Sequence, residues 1–156
     1  MQYTLHTDGG SRGNPGPSGI GFTIEQIDDT NESASTIICR GGAYIGETTN
    51  NQAEYRALIW GLSNARELGI NDITIRADSE LMVRQIQGAY RVKNAGLKPL
   101  FNQVMQLLDA FDTYDIDHVM RSGNKDADAL VNEAMDKKDT VGDFKINEGD
   151  TCTRLL

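Results

Sequence analysis

A single α/β domain is what this chain predicts, and three observations lead there. Its 156 residues amount to about one domain's worth of chain. Strand-like alternation fills the N-terminal part, and a helical period takes over at Glu54. Short β-branched runs then alternate with helical ones, giving the order β-β-β-α-β-α-α-β-α. That order fits an antiparallel hairpin region followed by right-handed crossovers into parallel strands.

Each element has a local reason. Residues 2–8 alternate Tyr3, Leu5 and Thr7 against Thr4, His6 and Asp8, the two-residue period of a strand. GGSRGNPGPSG, which follows, is turn chemistry. Two more strands are expected at Ile20 to Ile27 and Ala34 to Tyr44, joined by the polar link Asp28-Asp29-Thr30-Asn31-Glu32 as a meander. From Glu54, the positions Ala57, Leu58, Gly61, Leu62, Ala65 and Leu68 form one helical stripe, which Gly69 stops. Ile73 to Asp78 is a short β-branched strand, and Ser79 can cap a helix running to about Gly88. Further elements are expected as a helix at Leu97 to Phe111, a strand at Tyr114 to Met120 and a helix at Lys125 to Lys138. The domain thus spans 1–138, and 139–156, which has no clear period, is expected to be a C-terminal tail.

Composition narrows the class. Apolar residues at 38% and charged residues at 24% suit a folded globular chain rather than a disordered one. No apolar run approaches the length of a membrane span, and MQYTLHTDGG lacks the basic and apolar regions of a secretory signal. A cytoplasmic monomer is therefore expected. Cys39 and Cys152 match no metal-binding spacing and are expected as free thiols, a bridge from tail to body being the alternative. A net charge of −8 by itself argues against a polyanionic partner. The charge is unevenly spread, however. Leu81 to Leu108 contains no acidic residue but holds Arg84, Arg91, Lys93 and Lys98, a local basic stretch or simply four solvated charges.

Four carboxylates carry the chemistry. Asp8 and Asp78 end strands, where α/β sheets bind ligands. Glu54 begins a core-facing stripe, where a carboxylate loses its water unless a cation meets it. The plainer reading makes Asn51 and Glu54 an N-x-x-E capping box. Asp128 lies in the first turn of the last helix, where it, like Asp126, could serve only the helix dipole. Such a set of oxygen ligands, with no Cys or His cluster, selects Mg²⁺ or Mn²⁺. Two such ions roughly 3.5–4 Å apart could stabilise both oxygens of an in-line phosphoryl displacement.

Four linked motifs give these residues a context: TDGGSRGNPGPSGIGF (7–22), TNNQAEYRAL (49–58), IRADSELMVRQIQG (75–88) and HVMRSGNKDADALVNEAM (118–135). In order and spacing the chain resembles the type 1 ribonucleases H. The resemblance implies a ribonuclease H-like fold, a five-stranded mixed sheet with strands 1–3 antiparallel, strands 4 and 5 parallel, and helices on both faces. It implies two Mg²⁺ ions, with Mn²⁺ as a substitute, and cleavage of the RNA strand of RNA–DNA hybrids to 3′-hydroxyl and 5′-phosphate ends. It assigns the metal-binding and catalytic carboxylates to Asp8, Glu54, Asp78 and Asp128, the A-D-A-L context favouring Asp128 over Asp126. By the same resemblance Asp8 bridges both ions, Asp128 serves the one that activates water, and Glu54 and Asp78 serve the other. Asn14, Asn50 and Asn51 match minor-groove positions that read the 2′-hydroxyl, and Thr49 matches a contact to a DNA phosphate. Asn124 is either a helix cap or a further contact near the scissile bond.

The sequence departs from the family in two places. The link Arg121-Ser122-Gly123-Asn124 holds none of the histidines that many members carry there. His6 and His118 are expected to pack rather than react, leaving Arg121 as the candidate substitute. The segment GAYRVKNAGLKP (88–99) is short where some members carry a long basic protrusion. Arg84, Arg91, Lys93 and Lys98 are the expected phosphate contacts of the hybrid. Rival readings are a junction resolvase or transposase-like core, a non-catalytic hybrid binder and an acidic interaction domain.

Overall fold

Hydrophobic alternation and helical stripes resolve into a mixed sheet covered on both faces. The structure is a computed structural model and describes residues 1–31 and 33–143. Glu32, Cys152 and the remainder of the expected tail from 144 onward lie outside the described residues. Three long strands come first: β1 (Gln2–Ser11), β2 (Gly16–Ile27) and β3 (Ser35–Thr48). Helix α1 (Asn50–Glu67), strand β4 (Asp72–Ala77), helices α2 (Glu80–Ile86) and α3 (Lys98–Leu108) and strand β5 (Thr113–His118) follow. A 3-10 turn (Arg121–Gly123), helix α4 (Lys125–Lys137) and strand β6 (Thr140–Asp143) complete the described part.

The strand order is β5-β4-β1-β2-β3-β6. β1, β2 and β3 pair antiparallel, while β4 pairs parallel to β1 and β5 parallel to β4, as the sequence pattern predicts. The sheet has six strands rather than five among the described residues. Thr140–Asp143, expected in the tail, pairs antiparallel with β3 from Arg40 to Ala43. Its four residues are too few to show a period, and only the partner edge makes them a strand.

Alternation decides which helix covers which face. Leu5, Thr7 and Gly9 look toward α1, and the branched carbons of Leu5 lie where a side chain on Gly61 would go. Phe22 meets Trp60 of α1 edge to face, with ring centroids 4.8 Å apart. α3 packs on α1, and α4 covers the opposite face of β1, β2 and β3. Leu5, Ile20, Phe22, Ile24, Leu58, Leu62 and Ile75 are wholly buried in the resulting core. Cys39 is buried too, and it is disulfide-bonded rather than a free thiol. The sequence left a bridge as the alternative to free thiols, because a bridge follows spatial position rather than separation along the chain. No helix among the described residues is long and apolar enough to cross a membrane.

Candidate active site

The parallel register of β1 and β4 runs from Thr4↔Thr74 to Thr7↔Ala77 and stops there. Asp8 and Asp78 are the next residue on each strand, so two carboxylates stand side by side where the pairing ends. β1 itself continues to Ser11 because β2 still pairs with it, so Asp8 lies inside that strand rather than at its tip.

Two helices bring the other acids to this point, each through a close backbone approach. A Cβ on Gly9 would lie 2.5 Å from the carbonyl carbon of Ala53, so only glycine lets the first turns of α1 press onto β1. Across the sheet, a Cβ on Gly21 would lie 2.7 Å from the carbonyl oxygen of Ala127. Gly21 pairs with Asp8, so α4 descends onto the same face that Asp8 presents. The first approach delivers Glu54 and the second Asp128.

Glu54 is 3% exposed and Asp8 7%, whereas Asp78 and Asp128 are partly open to solvent. One ligand oxygen each from Asp8, Glu54 and Asp78 lie within 4.8 Å of one another. Asp128 lines the same cavity, and its charge acts on Asp8. Asp8 thus feels both Asp78 and Asp128. Asp126 is exposed and lines a different cavity, beside His6 and Glu25, which separates it from Asp128.

The capping alternative for Glu54 is overturned. Thr49 is the N-cap of α1, its Oγ1 accepting the Gln52 N–H at 3.2 Å. Glu54 Oε1 instead accepts the Gly9 N–H at 2.7 Å, and its Oε2 is buried without any hydrogen-bond partner. Burial, reinforced by the charges of Asp8 and Asp78, pushes the Glu54 carboxyl well above its ordinary range. Burial likewise raises Asp8 to about 8, with Asp78 and Asp128 adding repulsion and shared hydrogen bonds. A cluster of acids, two of them desolvated and one oxygen left unsatisfied, has the donor set of a hard divalent cation. The residues present fit that group.

The open cavity above these acids measures about 550 Å³, and Asn50, Ser79, Arg12, Asn132, His118 and Arg121 share its walls. The β1–β2 turn is tied down there: Asn50 Oδ1 accepts the Ser11 N–H at 3.2 Å, and the Asn50 N–H donates to Asn14 Oδ1 at 3.0 Å. Asn14, Asn50 and Asn51 are exposed and Thr49 is half-buried; of these four Asn50 lines the cavity, and Asn14 reaches it through its bond to Asn50. Asn124 behaves otherwise. It occupies the N-cap position of α4 without capping it, is 1% exposed, and donates Nδ2 to the Thr7 carbonyl at 2.8 Å. The cap reading is thereby corrected, and Asn124 does not line the acidic cavity. Arg84, Arg91, Lys93 and Lys98 are exposed, and none of them lines that cavity either.

Arg12 and Asn132 are residues the sequence reading passed over. Arg12 Nη2 reaches Asp136 Oδ1 at 2.9 Å, and Asn132 Nδ2 donates to the Asp128 carbonyl at 3.1 Å. The four-residue step from Asp128 to Asn132 could have signalled the second of these. His118, expected to pack, lines the cavity instead; its position follows from pairing with Ala77, which needed the strand register.

A family model described as reverse transcriptase-like matches residues 6–134. A Ribonuclease HI of Halobacterium salinarum is 43% identical over 129 residues, 83% of this chain and 62% of the relative. The chain belongs to the ribonuclease H family. A crystal structure of RNase H1 from Halobacterium salinarum NRC-1 superposes with a TM-score of 0.80 at 40% identity, covering 88% of this chain and 99% of that one. LC11-RNase H1, solved in complex with an RNA/DNA hybrid, gives a TM-score of 0.74 at 42% identity over 87% of this chain and 98% of that one. The chain spans less than two thirds of the length of the Halobacterium ribonuclease HI it matches.

Proposed function

We propose that this ribonuclease H cuts the RNA strand of RNA–DNA hybrids as a cytoplasmic monomer. It would use two divalent cations, Mg²⁺ or its substitute Mn²⁺, and leave 3′-hydroxyl and 5′-phosphate ends. One observation carries the reading: Glu54, 3% exposed, keeps an unpartnered carboxylate oxygen beside two other acids, Asp8 and Asp78. A protein gains nothing from such an arrangement unless a cation completes it.

Asp8, Glu54, Asp78 and Asp128 are the residues that would hold the ions. Asp8 would serve the pair centrally, since it groups with Glu54 and Asp78 and shares its cavity and its electrostatics with Asp128. Bound there, the pair of ions would stabilise the attacking and leaving oxygens of an in-line displacement at phosphorus. Asp8 holds a proton near neutral pH and must release it as a cation arrives, so binding should strengthen as pH rises. The hydrogen bond from Gly9 fixes the Glu54 carboxylate before any substrate enters.

Substrate choice falls to the rim. Asn14, Asn50 and Asn51, linked through the tied β1–β2 turn, offer amide donors and acceptors suited to a 2′-hydroxyl. Thr49 can offer its hydroxyl to a DNA phosphate at the start of α1. Arg84, Arg91, Lys93 and Lys98 are assigned to more distant phosphates, giving long-range attraction within an acidic protein. Asn124 serves by anchoring α4 to the Thr7 carbonyl, next to Asp8.

Incubation with hybrid, duplex DNA, duplex RNA and a four-way junction, each with Mg²⁺ and with EDTA, tests the proposal. Cleavage confined to the RNA strand of the hybrid and abolished by EDTA is expected. Cleavage of the junction alone would make the protein a resolvase, and binding without cleavage would make it a hybrid-binding module.

A further inference from the structure

We infer that His118 contacts the RNA strand, giving an N–H to a phosphodiester oxygen on the Asp78 side of the acidic cavity. The inference rests on the hydrolysis of hybrids proposed above and adds a residue to it.

The argument starts from strand register. Ile73, Ile75 and Ala77 on β4 and Ile116 on β5 are all buried. Ile75 pairs with Ile116 and Ala77 with His118, and paired residues of parallel strands face the same way. His118 therefore takes the next place on the face that Ile75, Ala77 and Ile116 bury. The Val119 N–H donates to the Ala77 carbonyl at 2.9 Å and fixes the backbone at that point. At this place the apolar row ends and the cavity opens, and His118 forms part of its wall.

The ring is held but not consumed. Its Nδ1 faces Glu80 Oε2 at 3.9 Å, and its side chain is 26% exposed. That separation is too long for a hydrogen bond, and the ring makes none among the described residues. Two other donors on the wall are engaged, Arg12 with Asp136 and Asn132 with the Asp128 carbonyl. Arg121 stands on an exposed 3-10 turn. His118 is an uncommitted donor whose neighbour in register, Ala77, directly precedes Asp78.

A polyanionic strand entering a cavity walled by four acids needs donors as well as cations. Glu80, in the first turn of α2, places a carboxylate near the Nδ1 edge of the imidazole, and Nε2 is left for the substrate. The Glu80–His118 pair thus does for one phosphate what the tied β1–β2 turn does for the sugar edge.

The test compares wild type with His118→Ala, His118→Gln and Glu80→Gln in steady-state cleavage of a labelled RNA–DNA hybrid. Calorimetric Mg²⁺ binding to each free protein and the melting temperature are measured alongside. His118→Ala should lower kcat/KM by about 10- to 100-fold, the span covered by losing one hydrogen bond to a charged group. Glutamine, which keeps an N–H donor, should recover part of that loss, and Glu80→Gln should fall between Ala and wild type. Mg²⁺ affinity should stay that of the wild type. Cleavage by His118→Ala within twofold of an active wild type overturns the inference. So does an equal loss in His118→Ala and His118→Gln, or a loss of Mg²⁺ affinity that tracks the loss of cleavage. A wild type inactive on hybrid but active on another nucleic acid overturns the parent reading, and this inference with it.

Discussion

The acidic cavity and the basic stretch from Leu81 to Leu108 carry opposite charge and are built in opposite ways. The acids are gathered from two strands and two helices, and two of them are almost fully buried. The basic residues are close in sequence, exposed, and held by little beyond their own backbone. Arg84 donates to Gln87 at 3.2 Å, and Arg91, Lys93 and Lys98 make no ion pair among the described residues. Buried charge is costly and so must be explained by what it binds, whereas exposed charge costs almost nothing and explains little by itself. The first region should thus respond to single changes by large factors, and the second only to the sum of its charges.

Asp8→Asn is the sharpest way to break the acidic side of that contrast. It should reduce hybrid cleavage by at least about 10³-fold, since losing a carboxylate proposed to hold the cations would remove several kcal/mol of charge stabilisation. The same variant should melt higher than wild type in EDTA at pH 8, because it removes a self-repelling carboxyl. Single-turnover rates and thermal melts check both. A metal-free protein that melts lower after this change would mean the acids stabilise one another, contrary to the account.

Gly9→Ala probes the approach rather than the charge. Its methyl would meet the Ala53 backbone at 2.5 Å and push α1, with Glu54, away from Asp8. A stability loss of about 1–3 kcal/mol is expected, together with a weaker response of the melting temperature to Mg²⁺. Urea unfolding with and without the ion measures the two effects separately.

Neutralising Arg91 and Lys93 together should change much less. Cleavage at saturating hybrid should stay near wild type, while the slope of log Kd against log salt falls by about two contacts' worth. If the slope of hybrid binding is unchanged, these residues touch no phosphate.

The same contrast explains what could be read in advance. The order of elements and the antiparallel and parallel pairing follow from period and turn chemistry, as from β1 alternation and the stripe opening at Glu54. Glu54 stood out because a carboxylate on an apolar stripe breaks the pattern. β6 did not, because four residues show no period and need the edge of β3 to define them. Asn124 looked like a cap, yet its amide turns inward to Thr7, a contact between residues distant in sequence. His118 looked like core for the same reason: only the register with Ala77 reveals that the buried row has ended. The Cys39 disulfide stood in the sequence only as the alternative to a free thiol, since spacing alone does not choose between them.

The central claim is that the buried acids are strained until a cation joins them. Asp8 is raised from 3.8 to about 8 in the folded protein, so between those values the native state binds more protons than the unfolded state. Metal-free stability must then fall as pH climbs through that window. Mg²⁺, competing with the proton, must recover more of it at the upper end. Melting temperatures at pH 5 and pH 8, in EDTA and in excess Mg²⁺, give the direct test. A metal-free protein less stable at pH 8, with a Mg²⁺-induced rise that is large there, small at pH 5 and absent in Asp8→Asn, is the predicted result. Equal melting with and without Mg²⁺ at pH 8 would contradict it.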